Sequence, residues 1–245
     1  GVTSAGFVLD ATRHPLDESI APEAEWNRLL TRYPDLQEQF AQSRIVAPES
    51  GLQRTGRLQH LSSQTAGENW ALLPFTAGFI DPLYSTGIAH TMTGIDRLTH
   101  ILEQHWKQDS LSDELESYDR NLQREIHFLD RIIELSYRAM PRFELFVPTS
   151  MLYFAAATTY EQIHLNETNP TSAFLCADNI RLNECLDEIS LKLNEALEQK
   201  ADHHKAAETY FDTVARSISP FNSAGLCNPQ VQNMYHYTAV NLPEL

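Results

Sequence analysis

The sequence predicts an α+β fold that is mainly α. Two observations carry this. Beyond about residue 106 the apolar residues recur at helical spacing over long stretches, as at Ile180, Leu182, Leu186, Ile189, Leu193 and Leu197. Before that point the strand-like runs are few, short and interrupted by Gly or Pro. The expected organisation is residues 1–106 as a strand-containing part and residues 107–245 as a helical region.

Each element has its local reason. Val2 to Leu9 reads as a short strand, followed by loop as far as Pro22. Pro22-Glu23-Ala24-Glu25 opens a helix, with Pro in the first turn and acids at the positive end of the dipole. Trp26, Leu29, Leu30 and Tyr33 form its apolar face, Pro34 ends it, and Leu36 to Ala41 adds a further helical turn. Arg54 to Leu61 reads as a strand with Leu58 and Leu61 facing inward, and NWALL (69–73) as a buried strand running into Pro74. Helices are expected from about Ser85 to Trp106, from Leu111 to Ala139 where Pro141 stops it, and, as one or two pieces, from Phe143 to Ile163. Two more cover Ala177 to Lys200 and His203 to Ser217. The tail from Ser219 to Leu245 carries Phe221, Leu226, Met234, Tyr235 and Tyr237, which need packing partners, so an ordered wrapping segment is expected.

Composition narrows the function. Hydrophobic residues at 42% and charged residues at 21% suit an ordinary globular chain of 245 residues. A net charge of −15 repels phosphate backbones, which argues against nucleic acid as a partner. It leaves room for a small anion held by backbone amides. Cys176, Cys185 and Cys227 form no C-x-x-C pair and are odd in number, which points to a reducing, cytoplasmic setting. No apolar run is long enough to span a membrane.

The most informative stretch is GFIDPLYSTGI, residues 78–88, which leads into the apolar periodicity of the following helix. Gly78 permits a turn or a close backbone approach, and Pro82 fixes one dihedral. Ser85 or Thr86 is placed to cap the helix, and Gly87 leaves its first turn bare. The amides of Ser85, Thr86, Gly87 and Ile88 would then be donors at a positive helix end, suited to phosphate, halide or the electron-rich edge of a reduced flavin. A capped helix after a turn, with no ligand, reads equally well from the spacing.

The run A-G-F-I-D-P-L-Y-S-T-G-I resembles the flavin-contacting loop of the flavin-dependent halogenases and their halogenase-like FAD-dependent oxidoreductase relatives, the tryptophan halogenase-like family. LLTRYPDL, GRLQHL, NWALLP, LYFAAATTYEQ and SPFNSAGLCNP are similar to further segments of that family, so the likeness spans most of the chain. The resemblance implies the last strands of a flavin-monooxygenase-type FAD/substrate domain, then a C-terminal helical region, in the C-terminal portion of a longer enzyme. It implies FAD as cofactor, with Ala77, Gly78, Phe79, Asp81 and Pro82 forming the loop against it. Ser85, Thr86, Gly87 and Ile88 would place amides near the isoalloxazine, and Thr86 and Gly87 would line a halide site. The implied reaction is oxidation of a small organic substrate by reduced flavin and dioxygen, with halide as a possible co-substrate and a separate flavin reductase as a possible partner. A geranylgeranyl-reductase-like flavin reductase, or a helical scaffold that has lost flavin, are the alternatives. Three departures stand out: the family's Gly-[Asp/Asn] pair falls on Pro74-Phe75, Tyr84 stands where tryptophan-type enzymes carry a catalytic Glu, and no G-x-G-x-x-G occurs. The family's catalytic Lys has no counterpart in this chain, so no catalytic residue is assigned.

Other patterns weigh less. Glu161-x-x-His164 lacks the second copy that a di-iron bundle needs. The glycine spacing from Gly51 to Gly56 lacks the Lys and hydroxyl of a P-loop, leaving Arg54 and Arg57 as solvated charges or contacts to an acidic group. His90, one turn beyond the loop, reads as a proton donor or, more simply, as a packed histidine.

Overall fold

A computed structural model describes residues 2–166, 172–199 and 202–228. It forms two compact units, Gly1–Leu58 and Gln59–Leu245. The first holds two short helices, α1 (Pro22–Leu30) and α2 (Pro34–Phe40), each opened by its proline. The strand expected over Val2 to Leu9 does not form, since among the described residues no neighbouring strand offers it a hydrogen-bonding ladder. Phe7 packs on Trp26 instead, with ring centroids 4.8 Å apart, and Trp26 meets Phe40 edge-on at 5.6 Å. Arg54 is bound within this unit. It pairs with Glu25 at 2.6 Å and donates to the carbonyls of Asp17 and Ile20.

In the second unit the strands are only two residues long. β1 (His60–Leu61) pairs antiparallel with β4 (Gly78–Phe79), and β2 (Ala66–Gly67) pairs with β3 (Trp70–Ala71) in a tight hairpin. The longer strands expected over 54–61 and 69–73 shrink to these pairs. Leu58 and Leu61 face outward, half exposed, since so short a ladder has no covered face to turn them into. Leu72 and Leu73 follow β3, with the Leu72 amide bonded to the Thr65 carbonyl at 2.7 Å, and lead straight into a four-residue helix, α3 (Pro74–Ala77).

The helices follow the periodicity closely: α4 (Gly87–His105), α5 (Leu111–Ala139), α6 (Phe143–Asn166), α7 (Ile180–Glu198) and α8 (His203–Ile218). α6 is one helix although Pro148 lies inside it. A proline there removes one backbone donor. The side chains of Thr149 and Ser150 bond back to the carbonyls of Leu145, Phe146 and Val147 around that position.

α5 is the spine. Its first half, with Leu115, Tyr118, Leu122 and Ile126, packs on Ala66 and Ala77 in a small core below the loop. Its second half, from Phe128 to Ala139, joins α6, α7 and α8 in the main core around Leu145, Leu152, Leu186, Ile189, Leu193 and Val214. Each such buried aliphatic contributes about 1.5–3 kcal/mol by leaving water. Of the tail, Phe221 is buried and Leu226 packs on the main core. Met234, Tyr235 and Tyr237 lie outside the described residues.

α4 lies against α3 because Gly94 has no side chain. A Cβ there would sit 2.3 Å from Cδ of Pro74. Alanine in place of a mid-helix glycine ordinarily gains up to about 1 kcal/mol. Here the neighbour is a rigid ring, and overpacking of this kind costs about 1–3 kcal/mol. Gly94→Ala is therefore expected to lower the urea midpoint with an unchanged m-value, and a raised midpoint would disprove the contact.

Candidate functional site

The loop 78–88 is built from side chains that tie it down and a backbone that turns sharply. Gly78 is extended, at φ −163°, so it supplies no left-handed turn. Its missing Cβ makes room for Ile126 and Leu61, at 3.1 and 3.3 Å from that position. Ala77 is fully buried in the small core. Phe79 packs against the half-exposed Phe75, with centroids 5.2 Å apart, and the Phe75 ring lies over the open side of Gly87.

Asp81 uses both carboxylate oxygens. One accepts the amide of Leu83 at 2.8 Å, an Asx-type turn, and the other accepts the Tyr137 hydroxyl at 2.8 Å. Burial first, and then this bond, push the Tyr137 phenol up to about 12, so it stays a donor near neutral pH. Pro82 begins a single 3₁₀ turn, and Tyr84 and Ser85 take φ +66° and +55°. The left-handed region costs an L-residue about 1–2 kcal/mol. Two in succession need outside support. Tyr84 has it: its ring stacks on Tyr153 at 4.1 Å and 5°, Phe154 meets it edge-on at 5.9 Å, and its hydroxyl lies 2.8 Å from Ser136 Oγ. Burial is the main reason its phenol is raised above the ordinary tyrosine value.

The helix start differs from the expectation in two details. Thr86 is the N-cap residue, but its dihedrals (φ −71°, ψ −21°) are helical and its side chain makes no cap bond. A capping side chain normally needs extended backbone at that position. Ser85 is also no free donor, because its amide bonds the carbonyl of Pro82 at 3.0 Å. Of the four amides expected, those of Thr86, Gly87 and Ile88 have no backbone acceptor among the described residues, and the Ala89 amide joins them, since the first backbone bond of α4 runs from His90 to Thr86. Thr86 itself is buried, Gly87 half-buried, and Ser85, Pro82 and Ile88 exposed. From Ile88 an exposed apolar stripe runs along α4 through Met92, Ile95, Leu102 and Trp106.

One turn below the loop lies a buried charge cluster. Glu125, on α5, has a side chain with no exposed surface. It accepts from Arg97 at 2.5 Å, from the amide of Phe174 at 2.6 Å, and is bonded to His90 Nε2 at 2.9 Å. Arg97 also holds the carbonyl of Ser172, and the His90 ring stacks on Phe174 at 4.5 Å. Burial pushes the Glu125 carboxyl upward, but the His90 bond, the Arg97 charge and the Phe174 amide together hold it below the usual glutamate value. His90 is thus the packed, bonded histidine rather than a donor facing the loop. Glu161 and His164 gather no metal site among the described residues.

Sequence reasoning missed Glu125, Ser136 and Tyr137. The first two carried a readable signal, since both fall on the apolar stripe of α5, at the spacing set by Leu122, Ile126, Leu129, Ile132 and Ile133. A polar residue there has to be bonded. Tyr137 carried none, because it sits beside the stripe.

A mainly helical half with this loop at the head of α4 defines a fold class. It is that of the halogenase PltM: its crystal structure superposes with a TM-score of 0.72 at 21% identity, over 89% of this chain and 46% of that one. The PltM complex with phloroglucinol and FAD gives 0.71 over the same shares. The tryptophan halogenase family profile matches residues 33–146. Tetracycline 7-halogenase of Kitasatospora aureofaciens is 30% identical over 155 residues, 63% of this chain and 27% of that protein. Monodechloroaminopyrrolnitrin halogenase PrnC of Pseudomonas fluorescens is 28% identical over 196 residues, 72% of this chain and 34% of that protein. The chain is thus similar to flavin-dependent halogenases in these stretches and shares their fold, and it spans less than half the length of these relatives.

The Glu125 cluster makes a testable demand on stability. Removing one partner of a buried ion pair costs about 3–5 kcal/mol. Glu125→Gln is expected to lose that much in denaturant unfolding at pH 7. A carboxyl held below its unfolded pKa contributes stability above about pH 4.3, and the contribution is lost as pH falls through the folded value. Asp119 acts alike, its carboxyl lowered on balance by bonds from Thr65 and Ala66 against the upward push of burial. Wild-type stability should therefore drop below about pH 4, and Glu125→Gln should show a shallower acid limb. An equally steep limb in the variant would remove Glu125 from the account.

Proposed function

We propose that this chain is the part of an FAD-dependent halogenase-like oxidoreductase that meets the reactive end of the flavin. The observation that carries the reading is the run of acceptor-less amides that begins with Thr86, Gly87 and Ile88, at the head of the 19-residue α4. It lies within a sequence motif that resembles the family's flavin loop. Amides at a positive helix end suit an electron-rich ring edge or a halide. Thr86 and Gly87 would hold the halide, and Gly78, Phe79, Asp81, Pro82 and Ser85 would shape the loop beside the cofactor. FAD, when bound, would supply the redox chemistry with dioxygen, acting on a small organic substrate and, in the halogenating case, on halide. The part of this chain in that reaction is to orient donors and to exclude water.

Two features support a dependence on further protein. No G-x-G-x-x-G is present to seat a pyrophosphate. The apolar stripe of α4, beginning at Ile88, offers a surface continuous with the proposed flavin contact. A cytoplasmic setting and a separate flavin reductase fit the three free thiols and the family likeness.

The test is a titration of the intact protein with FAD, followed by visible absorption and then by chloride and bromide assays. A perturbed flavin band is expected, and Thr86→Val with Gly87→Ala should weaken binding and turnover about tenfold or more, because both substitutions keep the amides but crowd and shift them, the equivalent of about 1.4 kcal/mol. Gly87→Ala also presses a methyl toward the Phe75 ring, 3.3 Å away. Unchanged affinity and turnover in the double variant would make the loop a scaffold, the reading that Phe75 at the family's polar position favours.

A further inference from the structure

We propose that Ser136 and Tyr137, two consecutive residues of α5, are positioning residues that clamp the loop and set where the amides of residues 86–88 point. The inference rests on the flavin reading above and adds the device that holds the site in shape. Ser136 is fully buried and lies 2.8 Å from the Tyr84 hydroxyl. Tyr137 donates to Asp81 at 2.8 Å. Adjacent helix residues point in directions about 100° apart. They therefore grip the loop at two separate points, Asp81 before the 3₁₀ turn and Tyr84 within it.

The clamp explains the backbone. Tyr84 and Ser85 lie in the left-handed region, which neither residue type favours. Released, the turn would relax, and the donors that follow it would swing away. Tyr84 is held at its ring by Tyr153 and at its hydroxyl by Ser136, so its side chain faces the helical core and not a substrate. The residue is an anchor.

The test uses Tyr84→Phe, Tyr137→Phe and their combination. Each removes one hydroxyl and keeps the ring, so packing is spared. Three quantities are read: the FAD dissociation constant by flavin fluorescence, the midpoint potential of bound flavin, and amide hydrogen exchange across residues 83–90. Each single variant is expected to exchange faster at 84–88 and to bind FAD several-fold more weakly, and the pair about tenfold or more, following the usual worth of one or two hydrogen bonds. The potential should fall, since displaced donors stabilise reduced flavin less. The melting temperature should stay within a few degrees of wild type. Wild-type exchange rates in the double variant would overturn the clamp whatever the flavin does. Faster exchange with unchanged affinity and potential would also overturn it, as a loop contact without positioning value. If the wild type binds no FAD at all, the flavin reading fails, and exchange across 84–88 still decides whether the clamp exists.

Discussion

One buried carboxylate organises the region that the loop depends on. Glu125 sits at the middle of α5, where the small core gives way to the main one. An isolated charge at that depth would be prohibitively unfavourable. It is tolerated because α4 supplies two partners, His90 and Arg97, and the segment before α7 supplies the Phe174 amide. The same bonds therefore define how α4 is rotated and how it is docked. Gly94 against Pro74 removes the remaining freedom by letting the helix come close to α3. The start of α4, where the unpaired amides lie, inherits its position from contacts one to three turns further on, at His90, Gly94 and Arg97.

The loop above it follows a different logic. Its shape is locally unfavourable, with two left-handed residues in a row and an N-cap that caps nothing. Such conformations persist where the surroundings over-determine them, and they gather at functional sites. Here the surroundings are Tyr153 and Phe154 from α6 and Ser136 and Tyr137 from α5. The helical region is thus the support of the loop as well as its neighbour. Donors that stay unpaired in a fixed place are what an anion or an electron-rich ring requires.

Much of this was legible from residue order, and the misses have physical causes. The helices from α4 to α8 appear where the apolar period places them, because each buries one continuous face. The strands were overestimated. Apolar residues such as Leu58, Leu61 and those of NWALL describe a willingness to extend, whereas a strand exists only where a partner lies alongside. The loop was recognisable by its glycines, its Asp-Pro and its hydroxyls. Its capping was misread, since Ser and Thr at a helix start cap only when their own backbone is extended.

The sequence by itself determined the mainly helical class, the helix limits, the acidic character and the family likeness of the 77–88 loop. These depend on local period, charge and short-range chemistry, which residue order carries directly. Tertiary structure alone decided that His90 is bound to Glu125, that Tyr84 turns into the core, and that Ser85 donates to Pro82. It also decided that Ser136 and Tyr137 hold the loop from more than fifty residues away. Those outcomes depend on which faces of distant helices meet, and on the need of each buried polar group to find a partner there.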